Sequence, residues 1–274
     1  MTVSQADKAK KLRALHEAPG AFVIPNPWDA GSARLLQGLG FQALATSSGA
    51  KAGVLGKRDG QVTREEALAN ARLIAGAVDL PVIGDLEKGF GDTPDAAALT
   101  IKGAAEAGLV GGSIEDATGN KDAPLFDVET AAVRVKAAVQ AAHALSFPFV
   151  VTARAEGFLR GKPDLDDVIK RLQAYEAAGA DVLMAPGLPD LAAVKKVTGA
   201  LKKPFNFMVG IKGKSFSKAE LEAAGVKRIS LATSLYRAAM TGLLDAAKEV
   251  QDKGTFAYLD HSIPTPDLNA FMKG

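Results

Sequence analysis

The chain has 274 residues, 47% of them hydrophobic and 23% charged, a composition that is typical of a globular protein and excludes a disordered or fibrous one. Its formal net charge of +2 and its dispersed lysines and arginines exclude an extended basic surface, so neither nucleic acid nor a membrane is an expected partner. The sequence contains no cysteine, which excludes disulfides, thiolate metal ligands and a cysteine nucleophile.

Residues 1–20 are charged and have the pattern of a helix, without the apolar segment of a secretory leader. No uninterrupted apolar run reaches the length of about 18 residues that indicates a membrane span. We therefore expect a cytoplasmic protein.

Eight short runs rich in β-branched residues are predicted to be strands. They lie at 21–26, 43–48, 81–87, 111–116, 149–155, 181–186, 205–210 and 228–233. Longer stretches with helical periodicity follow them, at 28–39, 63–78, 94–107, 127–145, 164–178, 188–200, 217–224 and 234–253. This alternation of strand and helix is typical of βαβ units and a parallel sheet.

The predicted fold class is α/β, a single (β/α)8 TIM barrel. Eight consecutive units fit this architecture, and no segment rich in proline, glycine and serine divides the chain into halves. We therefore predict one domain over residues 1–274, with a C-terminal extension at 254–274 that packs on the barrel or on a neighbouring subunit. A doubly wound open sheet is the alternative.

Polar residues gather at the C-terminal ends of five predicted strands, where a barrel builds its active site. In chain order they are Asn26, the stretch 46–49, Asp85 and Glu87, Glu115 and Asp116, and Arg154 and Glu156. Taken singly, an asparagine before proline can shape a turn and a serine can cap a helix. The carboxylates of two neighbouring strands are harder to explain in this way, because ionised carboxylates that lie close together repel each other.

These carboxylates predict a positive charge beside them. Arg154 and Lys88 can provide it in an ion-pair network, which is the structural alternative. A hard divalent cation is favoured, because Mg²⁺ and Mn²⁺ take oxygen ligands and are often held by only one or two carboxylates. His16 and His143 fall in predicted helices and His261 in the tail, so none of the three is a predicted ligand.

The remaining polar residues predict a pocket for a small dianion bound to the metal. The guanidinium of Arg154 suits a bidentate contact with a substrate carboxylate. Ser47, Ser48 and the amide of Gly49 leave the second strand together and suit the opposite side of the same ligand. Asn206, in the seventh predicted strand, is included among the substrate contacts.

Six motifs, in this order and at these strand ends, resemble the isocitrate lyase/phosphoenolpyruvate mutase superfamily over roughly residues 20–240. Each motif is loose by itself, but their shared order and placement make the combination specific. The motifs are N-P-W-D-A-G-S-A (26–33), T-S-S-G (46–49), G-K-R-D-G (56–60), D-L-E-K-G-F-G (85–91), S-I-E-D (113–116) and T-A-R-A-E (152–156).

The resemblance implies a Mg²⁺-dependent barrel enzyme that makes or breaks carbon–carbon or carbon–phosphorus bonds beside a 2-oxo acid, through a metal-bound enolate. It implies a metal shell of Asp85, Glu87 and Glu115, with Mn²⁺ as the alternative ion. Family members exchange their last helix between neighbouring subunits, so the resemblance also implies a homodimer or a homotetramer.

The resemblance implies ligand contacts as well. Ser47, Gly49 and Arg154 match residues that hold the carboxylate and oxo groups, and Asp59 matches an acid on the loop after strand two that orders the site. Asp59 and Arg154 are therefore predicted to be catalytic, together with Lys121 from the loop after strand four.

Two departures from the family pattern bear on the reaction. Isocitrate and methylisocitrate lyases carry K-x-C-G-H in the loop after strand four, and its thiol acts as the acid, whereas this loop reads A-T-G-N-K-D-A-P-L-F-D (117–127). The phosphomutases have a longer loop there, to which only Asn120 and Lys121 correspond. Lys88, beside Glu87, stands where a small or neutral residue is expected, and a cation there would replace a ligand contact or weaken metal binding.

The predicted function is that of a Mg²⁺-dependent carbon–carbon lyase or decarboxylase. The expected substrate is a small 2-oxo or 2-hydroxy di- or tricarboxylate, similar to oxaloacetate or methylisocitrate. One alternative is phosphonate chemistry, as in a phosphoenolpyruvate mutase or a phosphonopyruvate hydrolase. Another is a barrel that binds a metabolite without catalysis, or binds phosphate through the loops 210–217 and 232–237.

Overall fold

A computed structural model describes residues 3–273 of the chain. Within this range eight parallel strands form one sheet, in the order β1-β8-β7-β6-β5-β4-β3-β2. The strands are β1 Phe22–Ile24, β2 Leu44–Ala45, β3 Val82–Asp85, β4 Gly111–Glu115, β5 Val150–Arg154, β6 Val182–Met184, β7 Phe205–Met208 and β8 Arg228–Ser230. Each lies inside its predicted range, and the predicted (β/α)8 architecture is confirmed.

The barrel is closed between β1 and β2 by hydrogen bonds outside the strand ladders. The amide of Ala45 donates to the carbonyl of Pro25 at 3.0 Å. The side-chain amide of Asn26 donates to the Thr46 carbonyl at 2.9 Å, and its oxygen accepts from the Leu231 amide at 2.8 Å. Asn26 thereby joins the ends of β1, β2 and β8, which is more than the turn-shaping role that its position before proline suggests.

Helices alternate with the strands along the chain. They are α1 Gln5–Glu17, α2 Ala30–Gly38, α3 Ser48–Val54, α4 Arg64–Ala77, α5 Pro94–Glu106, α6 Val128–His143, α7 Leu165–Ala177, α8 Leu191–Gly199, α9 Lys218–Ala223, α10 Ser234–Lys253 and α11 Thr265–Phe271. Short 3-10 helices lie at Gly157–Arg160 and Ala257–His261. Many begin at side-chain caps, as at Ser217, whose hydroxyl accepts from the Glu220 amide in a capping box. The short helices α3 and α11 are absent from the predicted helices.

The N-terminal helix covers the end of the barrel opposite to the active-site loops. Ala9 and Leu12 of α1 are fully buried and pack against the N-terminal parts of the strands, including Val110, Val150 and Val182. Full burial of a leucine side chain stabilises a fold by about 1.5–3 kcal/mol. The barrel interior is therefore closed from below and open only toward the C-terminal ends of its strands.

Alternation along the strands decides which side chains reach the interior. In β4, Ser113 and Glu115 line the interior cavity, whereas Ile114 packs among the apolar side chains of the main core. Asp116 follows the same alternation and faces α7, where its carboxylate accepts from Tyr175 at 2.6 Å and from Arg171 at 3.1 Å. The grouping of Asp116 with the other strand-end carboxylates is therefore wrong.

The C-terminal extension packs on the barrel through α11. The ring of Phe271 lies so close to Gly38 of α2 that a Cβ there would be 2.5 Å from a ring carbon. Arg34 of the same helix donates a hydrogen bond to the Met272 carbonyl. No helix between residues 3 and 273 is long and apolar enough to span a bilayer.

Candidate active site

A cavity of about 540 Å³ opens at the C-terminal ends of the strands. Its wall contains nine of the ten residues predicted for the site, which the barrel brings together from six segments of the chain. They are Ser47, Ser48, Gly49, Asp59, Asp85, Glu87, Glu115, Arg154 and Asn206. The tenth, Lys121, is exposed in the loop after β4 and does not belong to the cavity wall.

Arg154, at the end of β5, lies among three carboxylates. Its Nη1 is 2.9 Å from Asp85 Oδ1, and its Nη2 is 3.1 Å from Glu115 Oε2. Its Nε and Nη2 donate to Oε1 of the fully buried Glu156 at 3.0 and 2.8 Å. A guanidinium has five N–H donors. Four of them are directed at carboxylate oxygens here, so one N–H of Nη1 remains free. A bidentate grip on a substrate therefore requires Asp85 or Glu115 to turn away.

Asp85 is held by the start of α3 and by its own loop. The Ser48 amide donates to Oδ2 at 3.1 Å and the Glu87 amide donates to Oδ1 at 3.2 Å. Burial opposes ionisation of this carboxyl, but the charges of Arg154 and Lys51 and the two amides hold its pKa below the ordinary value. Asp85 is therefore an ionised, well-oriented oxygen donor.

The segment 46–49 approaches the cavity through its backbone. The Ser47 hydroxyl accepts from the Ala50 amide and so caps α3. A Cβ on Gly49 would lie 2.8 Å from Thr233 Cγ2 and 3.5 Å from Asp59 Oδ2, so a side chain does not fit there. The absence of a side chain lets the loop that carries Asp59 approach the start of α3.

Glu87 occupies a strained position in the loop after β3. Its φ is +52°, a left-handed conformation that costs a non-glycine residue about 1–3 kcal/mol and is concentrated at functional sites. Its Oε1 is buried without a hydrogen-bond partner, and the nearest cation, Lys51 Nζ, is 3.6 Å away. Burial raises the pKa of Glu87 despite the charge of Lys51.

Lys88 does not neutralise the carboxylates. Its ammonium group contacts Asp92 at 2.5 Å and donates to the Thr118 carbonyl at 2.6 Å, which joins the loops after β3 and β4. The expectation that this cation replaces a ligand contact is therefore wrong, because the left-handed turn directs successive side chains to different sides of the loop. The buried cation near Glu87 is Lys51 of α3, which is 1% exposed and lies 5.5 Å from the ring centre of Phe90.

Arg134 of α6 holds the two acid-bearing loops in place. This fully buried guanidinium donates to the carbonyls of Gly91 at 2.9 Å, Asp92 at 3.1 Å and Glu115 at 3.1 Å, and also to that of Lys88. Because these carbonyls belong to the loop after β3 and the end of β4, Arg134 fixes the separation of the segments that carry Glu87 and Glu115.

Glu115 has an elevated proton affinity. Burial raises its pKa from an ordinary 4.5 to about 8, and the charges of Glu156 and Asp85 act in the same direction, against Arg154 and Arg160. Arg160 Nη2, from the 3-10 helix after β5, is 3.2 Å from Glu115 Oε1. Glu115 therefore binds a proton more tightly than an ordinary glutamate does.

This shift predicts a pH-dependent stability. In EDTA, the free energy of unfolding should fall between about pH 5 and pH 8, because folded Glu115 binds its proton through this window and the unfolded chain does not. The slope is at most about 1.4 kcal/mol per pH unit. Urea unfolding at several pH values measures it, and Glu115→Gln should flatten the curve. An unchanged slope in Glu115→Gln would assign the proton to another group.

The donor set fits a hard divalent cation. Five carboxylates line the cavity, namely Asp59, Asp85, Glu87, Glu115 and Glu156. The cations that contact them are Arg154, Arg160 and Lys51, so the carboxylates outnumber their partners. One oxygen each of Glu87 and Glu156 is buried without a hydrogen bond.

Nevertheless, in residues 3–273 no three acidic or histidine side chains converge as a complete metal shell. Arg154 lies between Asp85 and Glu115 and keeps them apart. Mg²⁺ is commonly held by one or two carboxylates and several waters, so the arrangement remains compatible with this ion.

Four residues of the site were not predicted from the sequence or were left without a role there: Lys51, Glu156, Arg160 and Arg228. Lys51 stands in an alanine-rich segment that offers no signal of burial beside an acid. Glu156 follows Arg154 by two residues on the strand end, and this spacing is the signal that was available. The three histidines lie in α1, at the end of α6 and in the second 3-10 helix.

Comparison with known proteins places the chain among enzymes of this architecture. The profile of the family Phosphoenolpyruvate phosphomutase matches residues 12–251. A Burkholderia cenocepacia J2315 protein named only as a lyase/mutase has a crystal structure with a TM-score of 0.96 and 49% identity, covering 98% of this chain and 97% of that one.

Two curated relatives carry named activities. The 2-methylisocitrate lyase of Escherichia coli K12 is 31% identical over 84% of this chain and 79% of its own. The oxaloacetate decarboxylase of Ectopseudomonas mendocina is 28% identical over 87% of this chain and 82% of its own.

Proposed function

The chain belongs to the phosphoenolpyruvate mutase/isocitrate lyase superfamily of lyases and mutases, and we propose that it cleaves a carbon–carbon bond beside the carbonyl of a small 2-oxo or 2-hydroxy acid. The observation that carries this proposal is the position of Arg154 among three buried or partly buried carboxylates of the cavity. Such a wall combines a cationic contact for the acid with oxygen ligands for the metal on which the superfamily depends.

The proposed metal is Mg²⁺, with Mn²⁺ as the alternative, held by Asp85, Glu87 and Glu115 with water completing the shell. When bound, it supplies Lewis-acid stabilisation of the negative charge that an enolate carries. Once Asp85 and Glu115 turn toward a cation, the Nη1 and Nη2 donors of Arg154 become available to a substrate carboxylate. Binding of the metal should therefore increase the affinity for the acid, and binding of the acid should increase the affinity for the metal.

The other wall residues hold the acid and order the site. Ser47, Ser48 and Gly49 are the proposed contacts of the same acid at the end of β2. We assign Asp59 to positioning of this segment, since its carboxylate lies beside Gly49. Glu156 fixes the orientation of the Arg154 guanidinium through two hydrogen bonds.

Among substrates, the loop after β4 favours oxaloacetate over the tricarboxylates. A 2-methylisocitrate lyase and an oxaloacetate decarboxylase are both similar to this chain, but the chain has no cysteine to act as the lyase acid. Phosphonate chemistry remains the alternative, and the placement of Lys121 on the outside of its loop does not favour it. Membership in a family of lyases and mutases argues against a non-catalytic barrel.

Isothermal titration with oxalate tests the proposal. We expect oxalate to bind much more tightly in Mg²⁺ than in EDTA. Asp85→Asn should abolish this difference, because the substitution replaces a charged ligand of the proposed metal by a neutral one. Asp95→Asn, on the exposed first turn of α5, is the matched control and should retain the metal dependence. Oxalate binding that is equal with and without Mg²⁺ would contradict the proposed site.

We also propose that α10 packs on a second copy of the chain, in a homodimer or a homotetramer. None of its residues is buried, and Leu243 and Leu244 are 60% and 56% exposed. This exposure supports the helix exchange implied by the family resemblance. Sedimentation velocity should therefore show a species larger than the monomer.

A further inference from the structure

A buried arginine forms the floor of the same cavity. Arg228 is the first residue of β8 and is 2% exposed. Its Nε donates to Asn206 Oδ1 of β7 at 2.8 Å, and its Nη2 donates to Thr152 Oγ1 of β5 at 2.8 Å. Since β5 and β8 are not adjacent in the sheet, this side chain crosses the interior of the barrel.

Below the arginine lies His16 of α1, which is neutral. Burial and the charge of Arg228 lower its pKa to about 3. Its Nδ1 contacts the Leu12 carbonyl at 2.9 Å, so this nitrogen carries the hydrogen. Its Nε2, 3.3 Å from Arg228 Nη1, is then an acceptor. The arginine is therefore supported from below by a neutral group.

Arg228 has no anionic partner. Within the part of the chain that the structure describes, no carboxylate forms a salt bridge with it, and its three hydrogen-bond partners are neutral. Burial alone lowers its pKa, to about 9, so it stays charged at neutral pH. Buried charges are usually paired because an unpaired one is costly. An unpaired guanidinium at the bottom of an open cavity therefore suggests a ligand.

The groups around Arg228 leave several hydrogen-bond donors for such a ligand. Asn206 uses its oxygen on Arg228 and its amide nitrogen on Ser230 Oγ, at 3.0 Å. Thr152 and Ser230 each accept one of these bonds, so their hydroxyl hydrogens remain free. Two of the five N–H groups of Arg228 remain free as well. Since all of these residues line the cavity, its floor presents hydrogen-bond donors and a positive charge.

We propose that Arg228, Thr152 and Ser230 form a second anion subsite, which takes the distal carboxylate of the substrate and makes the enzyme specific for dicarboxylates. The inference rests on the proposed function, which places the proximal carboxylate at Arg154. Thr152 and Arg154 are two residues apart on β5, roughly 7 Å along the strand. That spacing is comparable with the length of a four-carbon dicarboxylate, so one molecule can reach both arginines.

Two stable four-carbon acids test this assignment. Malate and 2-hydroxybutanoate share the 2-hydroxy acid end and differ in the distal group, which is a carboxylate in the first and a methyl in the second. Titration in Mg²⁺ should show that the wild-type protein binds malate roughly 10- to 100-fold more tightly, the range expected for charge-assisted hydrogen bonds. Arg228→Met should remove this preference and leave the affinity for 2-hydroxybutanoate unchanged.

Two further variants keep the test decisive if Arg228→Met does not fold. Thr152→Val is nearly isosteric and removes one donor, so it should reduce the malate preference alone. Arg160→Met removes the third arginine that lines the cavity, which lies on the 3-10 helix after β5, and should leave the preference intact. A wild-type protein without a preference for malate, or a preference lost in Arg160→Met but kept in Thr152→Val, would overturn the inference.

The outcomes also separate this inference from the proposed function. If neither acid binds, with or without Mg²⁺, the proposed function fails. If both acids bind with equal affinity and in a Mg²⁺-dependent manner, the proposed function stands and the floor subsite is wrong.

Discussion

Replacement of Arg154 by methionine is expected to lower the free energy of unfolding by about 3–5 kcal/mol at pH 8, the usual cost of breaking a buried ion pair from one side. The substitution leaves Asp85, Glu115 and Glu156 together without the cation that all three contact. Urea unfolding in EDTA measures this change.

The loss of stability should depend on pH in a defined direction. Without Arg154 the three carboxylates repel one another, and this repulsion is relieved when they bind protons as the pH falls. The difference between wild type and variant should therefore be smaller at pH 5 than at pH 8. Arg72→Met is the matched control, because Arg72 is exposed on α4 and should change stability by less than about 0.5 kcal/mol.

A second substitution, Arg154→Lys, distinguishes the two roles considered for this residue, which are neutralisation of its neighbours and binding of the substrate acid. If Arg154 only neutralises its neighbours, Arg154→Lys should restore both stability and oxalate binding. If it also grips the acid, Arg154→Lys should restore most of the stability but bind oxalate more weakly, because an ammonium group cannot make two parallel hydrogen bonds. A loss below about 1 kcal/mol in Arg154→Met would show that water or ions already neutralise the carboxylates.

The second large effect concerns substrate choice. We expect Mg²⁺-dependent decarboxylation of oxaloacetate to exceed cleavage of isocitrate or 2-methylisocitrate by roughly 10²–10⁴-fold in kcat/KM, the usual contribution of general acid catalysis. The chain contains no cysteine, and the exposed Lys121 does not line the cavity. Decarboxylation depends less on a general acid, because the enolate can be protonated after the carbon–carbon bond has broken.

Side-by-side assays of the three acids measure this preference. Asp85→Asn provides the background, and this variant should show only the rate of the same mixture without enzyme. If isocitrate or 2-methylisocitrate is instead the better substrate, the inference from the missing thiol is wrong. A lysine such as Lys121 would then have to approach the cavity when substrate binds.

Much of the fold follows from local sequence. The eight strands and the helices between them are encoded by runs of β-branched residues, by helical periodicity and by caps such as Thr93 and Ser217, and all of these signals lie within a few residues of each other. The helix α3 was not predicted, because it has seven residues and begins directly after β2. Its residues look like part of the strand-end loop.

The candidate site was predictable to the extent that a barrel brings its strand ends together. Asp85, Glu115 and Arg154 were identified by position alone, and the structure places all three on one wall of the cavity. The direction in which neighbouring side chains point was harder to predict from the sequence. Asp116 faces α7 and Lys88 faces the loop after β4, and a strict two-residue alternation along β4 would have identified the first of these.

The sequence by itself therefore determined the order of the elements, the chemical types at the strand ends and the absence of a thiol acid, because each depends on residue identity or on short-range periodicity. Only the tertiary structure decided which charges meet. Lys51 reaches Glu87 across 36 residues, and Arg228 reaches Thr152 across 76 residues. Such contacts arise from closure of the barrel, which joins side chains across its interior regardless of their distance in the chain.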